Sequence, residues 1–104
     1  MNKKPTVTIG IPAHNEEANI VNMLKSVISQ ERRSFILEKI IVALDGCTDN
    51  TEGAVKEFAK SHPIVKLIAD EKRIGKKGRL NQIYELDQSD FVLIFDADIV
   101  LGNS

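Results

Sequence analysis

Residues 39–44 read Lys-Ile-Ile-Val-Ala-Leu, an almost unbroken apolar run that stops at Asp45-Gly46. Successive side chains of a strand point to opposite faces, so a half-exposed strand alternates apolar with polar residues. A short run without alternation fits a strand covered on both faces, as the strands of parallel sheets are. Three further runs, Val7 to Pro12, Ile64 to Ala69 and Phe91 to Phe95, are also rich in β-branched or aromatic residues. Strands are therefore expected over 6–11, 39–44, 64–69 and 91–95, the first ending near Pro12 because proline cannot donate to a ladder.

The stretches between these runs have helical spacing. From Glu16 onward Ile20, Val21, Leu24, Val27 and Ile28 form the stripe of a helix packed on one side, with Asn15 expected as its cap. Thr48 or Asp49 is expected to open a second helix, with Glu52 completing a capping box, Val55, Phe58 and Ala59 buried, and His62-Pro63 as the stop. Leu80, Ile83, Tyr84 and Leu86 supply the apolar face of a third. The order βαβαβαβ, with connections of helical length, predicts a Rossmann-like α/β three-layer sandwich. It has about four mostly parallel strands, right-handed crossovers and helices on both faces.

A chain of 104 residues is one domain of this size, able to bury roughly 65% of the surface its unfolded form exposes. Its net charge of −1 provides no overall field to attract nucleic acid or an anionic membrane, so charge-based recognition has to be local. Cys47 is the single cysteine, and His14 and His62 stand in no metal-ligand spacing, which argues against a disulfide framework and a zinc site. The first apolar run is too short for a signal-peptide core or a membrane span, so a cytoplasmic location is expected.

Ligands of open parallel sheets bind beyond the carboxyl ends of the strands, and the polar residues of this chain fall there. Ala13-His14-Asn15-Glu16 follows the first strand, Asp45 to Asp49 the second and Asp70 to Lys77 the third, while Asp96 and Asp98 close the fourth. Two residues apart on a strand, Asp96 and Asp98 can aim both carboxylates at one ligand, the hard oxygen donors that Mg²⁺ or Mn²⁺ takes together with phosphate. A water-facing strand end is the plainer alternative. The stretch "DEKRIGKKGRLN" holds Lys72, Arg73, Lys76, Lys77 and Arg79 among the glycines Gly75 and Gly78, and leads into a helix whose N-terminus favours an anion. It lacks the pattern of a Walker loop, and a solvated charged face explains such a run equally well on its own. Asp45 can accept an N–H from a nucleobase edge, or serve only as the turn residue of Asp-Gly. Asp49 is better read as a cap, and His14 and Cys47 as loop residues.

Taken together, the motifs resemble the first half of a family 2 glycosyltransferase of the GT-A fold. "VTIGIPAHNEEANI" is similar to the opening strand and loop of that family, and "IIVALDGCTDNT" to its Asp-Asp-Gly-Ser-Thr-Asp-x-Thr segment. "IGKKGRLN" is similar to its Gly-Lys-x-x-Ala-Leu-Asn segment, and "FVLIFDADIVL" to its Asp-x-Asp strand. The resemblance implies strand order 3-2-1-4 and a single domain over 1–104 that binds a nucleoside diphosphate sugar, a UDP-sugar foremost, with Mg²⁺ or Mn²⁺. It implies that Pro12, Ala13, His14, Asn15, Glu16 and Asp45 hold base and ribose, and that Gly75 and Lys76 lie near base and diphosphate. Asp96 would take ribose, metal and phosphate, and Asp98 the metal. Three residues depart from the pattern: Leu44 for the first Asp, Cys47 for Ser and Arg79 for Ala. The resemblance also places acceptor binding and the catalytic base beyond Ser104, so this chain alone is expected to be inactive, and either to self-associate as a homodimer through strand four or to be completed by a missing C-terminal half. A non-catalytic nucleotide-binding or assembly module is the alternative. A haloacid-dehalogenase-like phosphatase ranks last, because there Asp-x-Asp opens the fold.

Overall fold

The computed structural model describes residues 4–30 and 34–97. Among them lie seven elements in chain order: β1 (Thr6–Ala13), α1 (Ile20–Ser29), β2 (Ile36–Asp45), α2 (Thr51–Ser61), β3 (Val65–Asp70), α3 (Lys76–Leu86) and β4 (Phe91–Ile94). The strands form one sheet in the order β3-β2-β1-β4, and every pairing is parallel.

Residues Ile40 to Asp45 of β2 are all buried, as the absence of alternation requires. One face of the sheet packs on α1 and α2. Val7, Ile9, Ile11, Ile40, Val42 and Leu44 of the strands meet Ile20, Met23, Leu24 and Val27 of α1 and Val55 of α2 there. On the opposite face Ile41 and Ala43 meet Ile83 of α3, with Leu80, Val92 and Ile94 at the margin. Gly10 lies beneath this contact. A Cβ placed on it would come within 2.8 Å of Ile83 Cγ2 and Ile94 Cδ1, so the absence of a side chain lets α3 approach β1.

Several expectations are corrected. β1 runs past Pro12 to Ala13. The Gly10 carbonyl accepts from Phe95 on the β4 side, so Pro12, two residues on, turns its missing N–H toward the same side beyond the end of β4 and loses no ladder bond. Asn15 does not cap α1, which starts at Ile20. It occupies left-handed backbone with φ 51°, and a turn closed by the Glu16 carbonyl, accepting from the N–H groups of Asn19 and Ile20, leads into the helix. α2 opens at Thr51, after both Thr48 and Asp49, yet Asp49 Oδ1 accepts the Thr51 N–H at 2.9 Å and satisfies one first-turn amide. Glu52 pairs forward with Lys56 at 2.6 Å in place of a capping box. On α3, Tyr84 is 51% and Leu86 50% exposed, while Arg79 is wholly buried. The inward stripe is therefore Arg79 and Ile83, one helical turn apart.

Candidate functional site

Parallel pairing brings the carboxyl ends of β1, β2 and β3 level, with Ala13 beside Leu44 and Asp45 beside Asp70. An open pocket lies at this edge, lined by Pro12, Ala13, His14, Asp45, Arg73, Lys76 and Arg79. Five of the residues expected at a nucleotide site are in that lining.

Asp45 is its centre. The carboxylate is nearly inaccessible to solvent and gathers donors from one segment of chain. Oδ1 accepts the Ile74 N–H at 2.7 Å and Arg79 Nε at 3.0 Å. Oδ2 accepts the Gly75 N–H at 3.1 Å and lies 3.5 Å from Arg73 Nε. Burial pushes the Asp45 carboxyl up, but the N–H groups of Ile74 and Gly75 and the Arg79 guanidinium outweigh it and hold the group below the ordinary carboxylate range. Residues 70–75 thus form a strap over the end of β2, seated against Gly46, whose φ of 59° favours glycine, where a Cβ would come within 2.5 Å of Arg73 Cγ, and whose N–H donates to the Asp70 carbonyl at 3.0 Å.

His14 forms the adjoining wall. Its Nδ1 is 2.7 Å from the Asp45 carbonyl oxygen, which can only accept, so Nδ1 carries the proton. Nε2 is left as an acceptor for Arg73 Nη1 at 2.9 Å and Asn15 Nδ2 at 3.3 Å. The Asn15 side chain also binds the loop before α2, accepting the N–H groups of Thr48 at 2.7 Å and Asp49 at 3.2 Å. Asn15 is therefore a brace between two loops, placed beside the pocket and outside its lining. Glu16 is turned away as well, its N–H donating to Thr51 Oγ1 at 2.9 Å and its carboxylate accepting from Asn19 Nδ2 at 3.1 Å.

Gly75 precedes α3 with φ 88° and ψ 163°, a conformation open to glycine almost alone, and its N–H is held by Asp45. Lys76 donates to Asp96 Oδ1 at 2.7 Å, and both side chains are about half exposed, so this pair joins the pocket to the acidic end of β4. Asp98 lies outside the described residues. Among the described residues no three His, Cys, Asp or Glu side chains converge as a metal cluster, and no helix is long and apolar enough to cross a membrane.

Of the five cations in the basic stretch, Arg79 faces neither an anion in the pocket mouth nor solvent, because it is buried. Its charge is spent inside the protein on Asp45 and on Asp70, whose Oδ2 is 3.6 Å from Nη1. The signal that could have found it was its spacing of four from Ile83, which puts both on one face of α3. Arg73 was counted as a cation, but its place at the pocket follows only from how the strap folds back over Gly46.

Comparison with known proteins agrees with this architecture. Residues 8–102 match the model of glycosyl transferase family 2. The chain is 33% identical over 101 residues to the probable glycosyltransferase YdaM of Bacillus subtilis, covering 94% of this chain and 24% of that protein. Among solved structures, a mannosyltransferase of Pyrobaculum calidifontis in complex with GDP-Man and Mn²⁺ superposes with a TM-score of 0.86 at 29% identity, over 97% of this chain and 30% of its own. Glucosyl-3-phosphoglycerate synthase of Mycobacterium tuberculosis, in complex with Mn²⁺, UDP and glucosyl-3-phosphoglycerate, superposes with a TM-score of 0.69 at 25% identity, over 89% of this chain and 33% of its own. The chain thus spans about a quarter to a third of the length of these relatives. With nearly all of its residues matched and the strand order β3-β2-β1-β4 expected of a GT-A sheet in place, the chain belongs to glycosyl transferase family 2.

Proposed function

We propose that the pocket binds a nucleoside diphosphate sugar, a UDP-sugar foremost and a GDP-sugar second, as the donor for glycosyl transfer. The observation that carries this reading is the convergence on one pocket of a buried acceptor, Asp45, with the cations Arg73 and Lys76, at the edge where β1 and β2 end. Oδ1 of Asp45 is consumed by two close donors, whereas Oδ2 holds one close N–H and the longer contact to Arg73. Oδ2 is therefore the oxygen with capacity left for the imide N–H of a uracil, and Arg73 beside it can donate to a neighbouring base carbonyl. Adenine has no imide N–H. Pro12, Ala13 and His14 would flank base and ribose, with Asn15 and Glu16 holding the loop behind them, and Gly75, Lys76 and Asp96 would flank the ribose and diphosphate.

Asp96 offers an exposed carboxylate, the donor type that Mg²⁺ or Mn²⁺ accepts, and with Asp98 it would hold the ion while phosphate oxygens complete the shell. When bound, such an ion offsets charge on the departing diphosphate. Lys76, now on Asp96, would turn to the phosphates. The two solved relatives with Mn²⁺ and GDP-Man or UDP support this reading. Acceptor binding and the base that deprotonates it are assigned to the larger part of such proteins that these residues do not cover.

Calorimetric titration with UDP, GDP and ADP, with and without Mn²⁺, tests the proposal. UDP is expected to bind most tightly, and its dependence on Mn²⁺ to vanish in Asp98→Ala. Equal affinities for the three nucleotides, or indifference to Mn²⁺, would overturn it.

A further inference from the structure

Arg79 stands where the family segment carries a small alanine, yet its side chain has no exposure to solvent. A guanidinium presents five N–H donors in a rigid plane, and a buried one persists only when paired. Here Nε donates to Asp45 Oδ1 at 3.0 Å, Nη2 to the Lys72 carbonyl at 2.6 Å and Nη1 to Gln82 Oε1 at 2.9 Å. The strap is thus held from two sides by one ion pair. Arg79 takes its Lys72 carbonyl, and Asp45 takes its Ile74 and Gly75 N–H groups.

We propose that Arg79 is a positioning residue, which fixes the orientation of the Asp45 carboxylate and through it keeps residues 70–75 closed over the end of β2. The proposal rests on the nucleotide reading for what the pocket receives, but the strap can be tested without ligand. Its geometric consequence is that Oδ1 is spent inside the protein and Oδ2, on the Arg73 side, is presented in one direction. Lysine cannot replace this function. It has no planar fork with which to reach Asp45, the Lys72 carbonyl and Gln82 at once.

The charged and titratable groups facing Asp45 are Arg79 from α3, Arg73 from the strap and His14 from the loop after β1, the last through the Asp45 carbonyl. Asp70 reaches the cluster through Arg79, and Lys76 is matched by Asp96. The folded-state value of Asp45 is depressed, so its grip on the strap is fully present above the ordinary carboxylate range and is lost as pH falls through the lower folded value. Without Arg79 the burial remains while part of the compensation goes. Opening of the strap then moves to higher pH.

The test compares the wild type, Arg79→Lys and Arg79→Ala by NMR, following amide protection at Ile74 and Gly75, the Asp45 carboxyl resonance across a pH series, and UDP affinity. Amides of the β1–β2 ladder report whether the fold is intact. In Arg79→Lys, protection of Ile74 and Gly75 is expected to fall by at least about tenfold with the ladder unchanged. The Asp45 midpoint is expected to rise and UDP affinity to drop by roughly tenfold or more. Unchanged protection and an unchanged midpoint would overturn the proposal. Should both variants unfold, the wild type decides, because protection of Ile74 and Gly75 must fall in step with Asp45 protonation, and protection indifferent to it refutes the role. A wild type that ignores UDP would overturn the nucleotide reading alone.

Discussion

Gly10 and Ile83 touch across the thinner side of the sandwich, and their coupling can be worked out from the contacts. Ile83 is wholly buried, and truncation to alanine removes three carbons. At about 0.8 kcal/mol per carbon the transfer loss is about 2.5 kcal/mol, and the cavity left behind takes the cost of Ile83→Ala to about 3–4 kcal/mol. Gly10→Ala alone overpacks the same spot, since the new methyl would sit 2.8 Å from Ile83 Cγ2, 3.0 Å from Ile83 Cδ1 and 2.8 Å from Ile94 Cδ1. These atoms are ends of flexible side chains, so the cost lies at the low end for overpacking, roughly 1–2 kcal/mol. In the double variant two of the three close contacts no longer exist, and the methyl fills part of the cavity. The double variant should therefore be more stable than the sum of the single effects implies, by about 2 kcal/mol. Urea unfolding followed by circular dichroism measures all three corners. A coupling within about 0.5 kcal/mol of zero would refute the reasoning, because that is what independent sites give.

Among the described residues, the two glycines of positive φ separate backbone strain from contact. Gly75→Ala meets open space and should lose about 1–3 kcal/mol through backbone alone, whereas Gly46→Ala also drives a methyl to 2.5 Å from Arg73 Cγ and should make residues 70–75 protease-sensitive; equal sensitivity in the two variants would show that the strap does not rest on Gly46. The 104-residue polypeptide expressed alone is predicted to self-associate at the β4 edge, where Phe91 is 58% and Leu93 42% exposed. Sedimentation over a concentration series checks this, with Leu93→Lys as the disrupting change, and a monomer at high concentration would refute it.

How far the fold could be read depended on which force placed each residue. Ile40 to Leu44 declared itself, since a short β-branched run without alternation that stops at Asp-Gly fits a strand covered on both faces, and from it followed the parallel sheet and the edge at which Asp45, His14 and Lys76 meet. The start of α1 did not. Glu16 to Asn19 carry no apolar period, and the turn there is set by Asn15, whose partners Thr48 and Asp49 are 33 and 34 positions away. The inward face of α3 was misread because apolar residues alone were counted. Arg79 is buried by carboxylates from two strand ends, and no local pattern announces such partners. Likewise Asp45 could be placed at its strand end, while the donors that occupy it come from a segment whose path only the tertiary structure defines.

The position of β1 in the sheet has a consequence for the order in which the fold can be made. β1 lies between β2 and β4, and its first residues meet β4 through Thr6 and Asp90, 84 positions apart. At translation speeds of about 5–20 residues per second, the β4-facing edge of β1 waits roughly 4–17 seconds for its partner to be synthesised. During that interval Val7 to Ile11 is a β-prone segment with one side unpaired, a template for joining a neighbouring nascent chain. Pro12 ends the run with a residue that cannot donate a ladder bond, on the side that is still open. The proline thus limits how far a foreign strand can extend along β1 before β4 arrives.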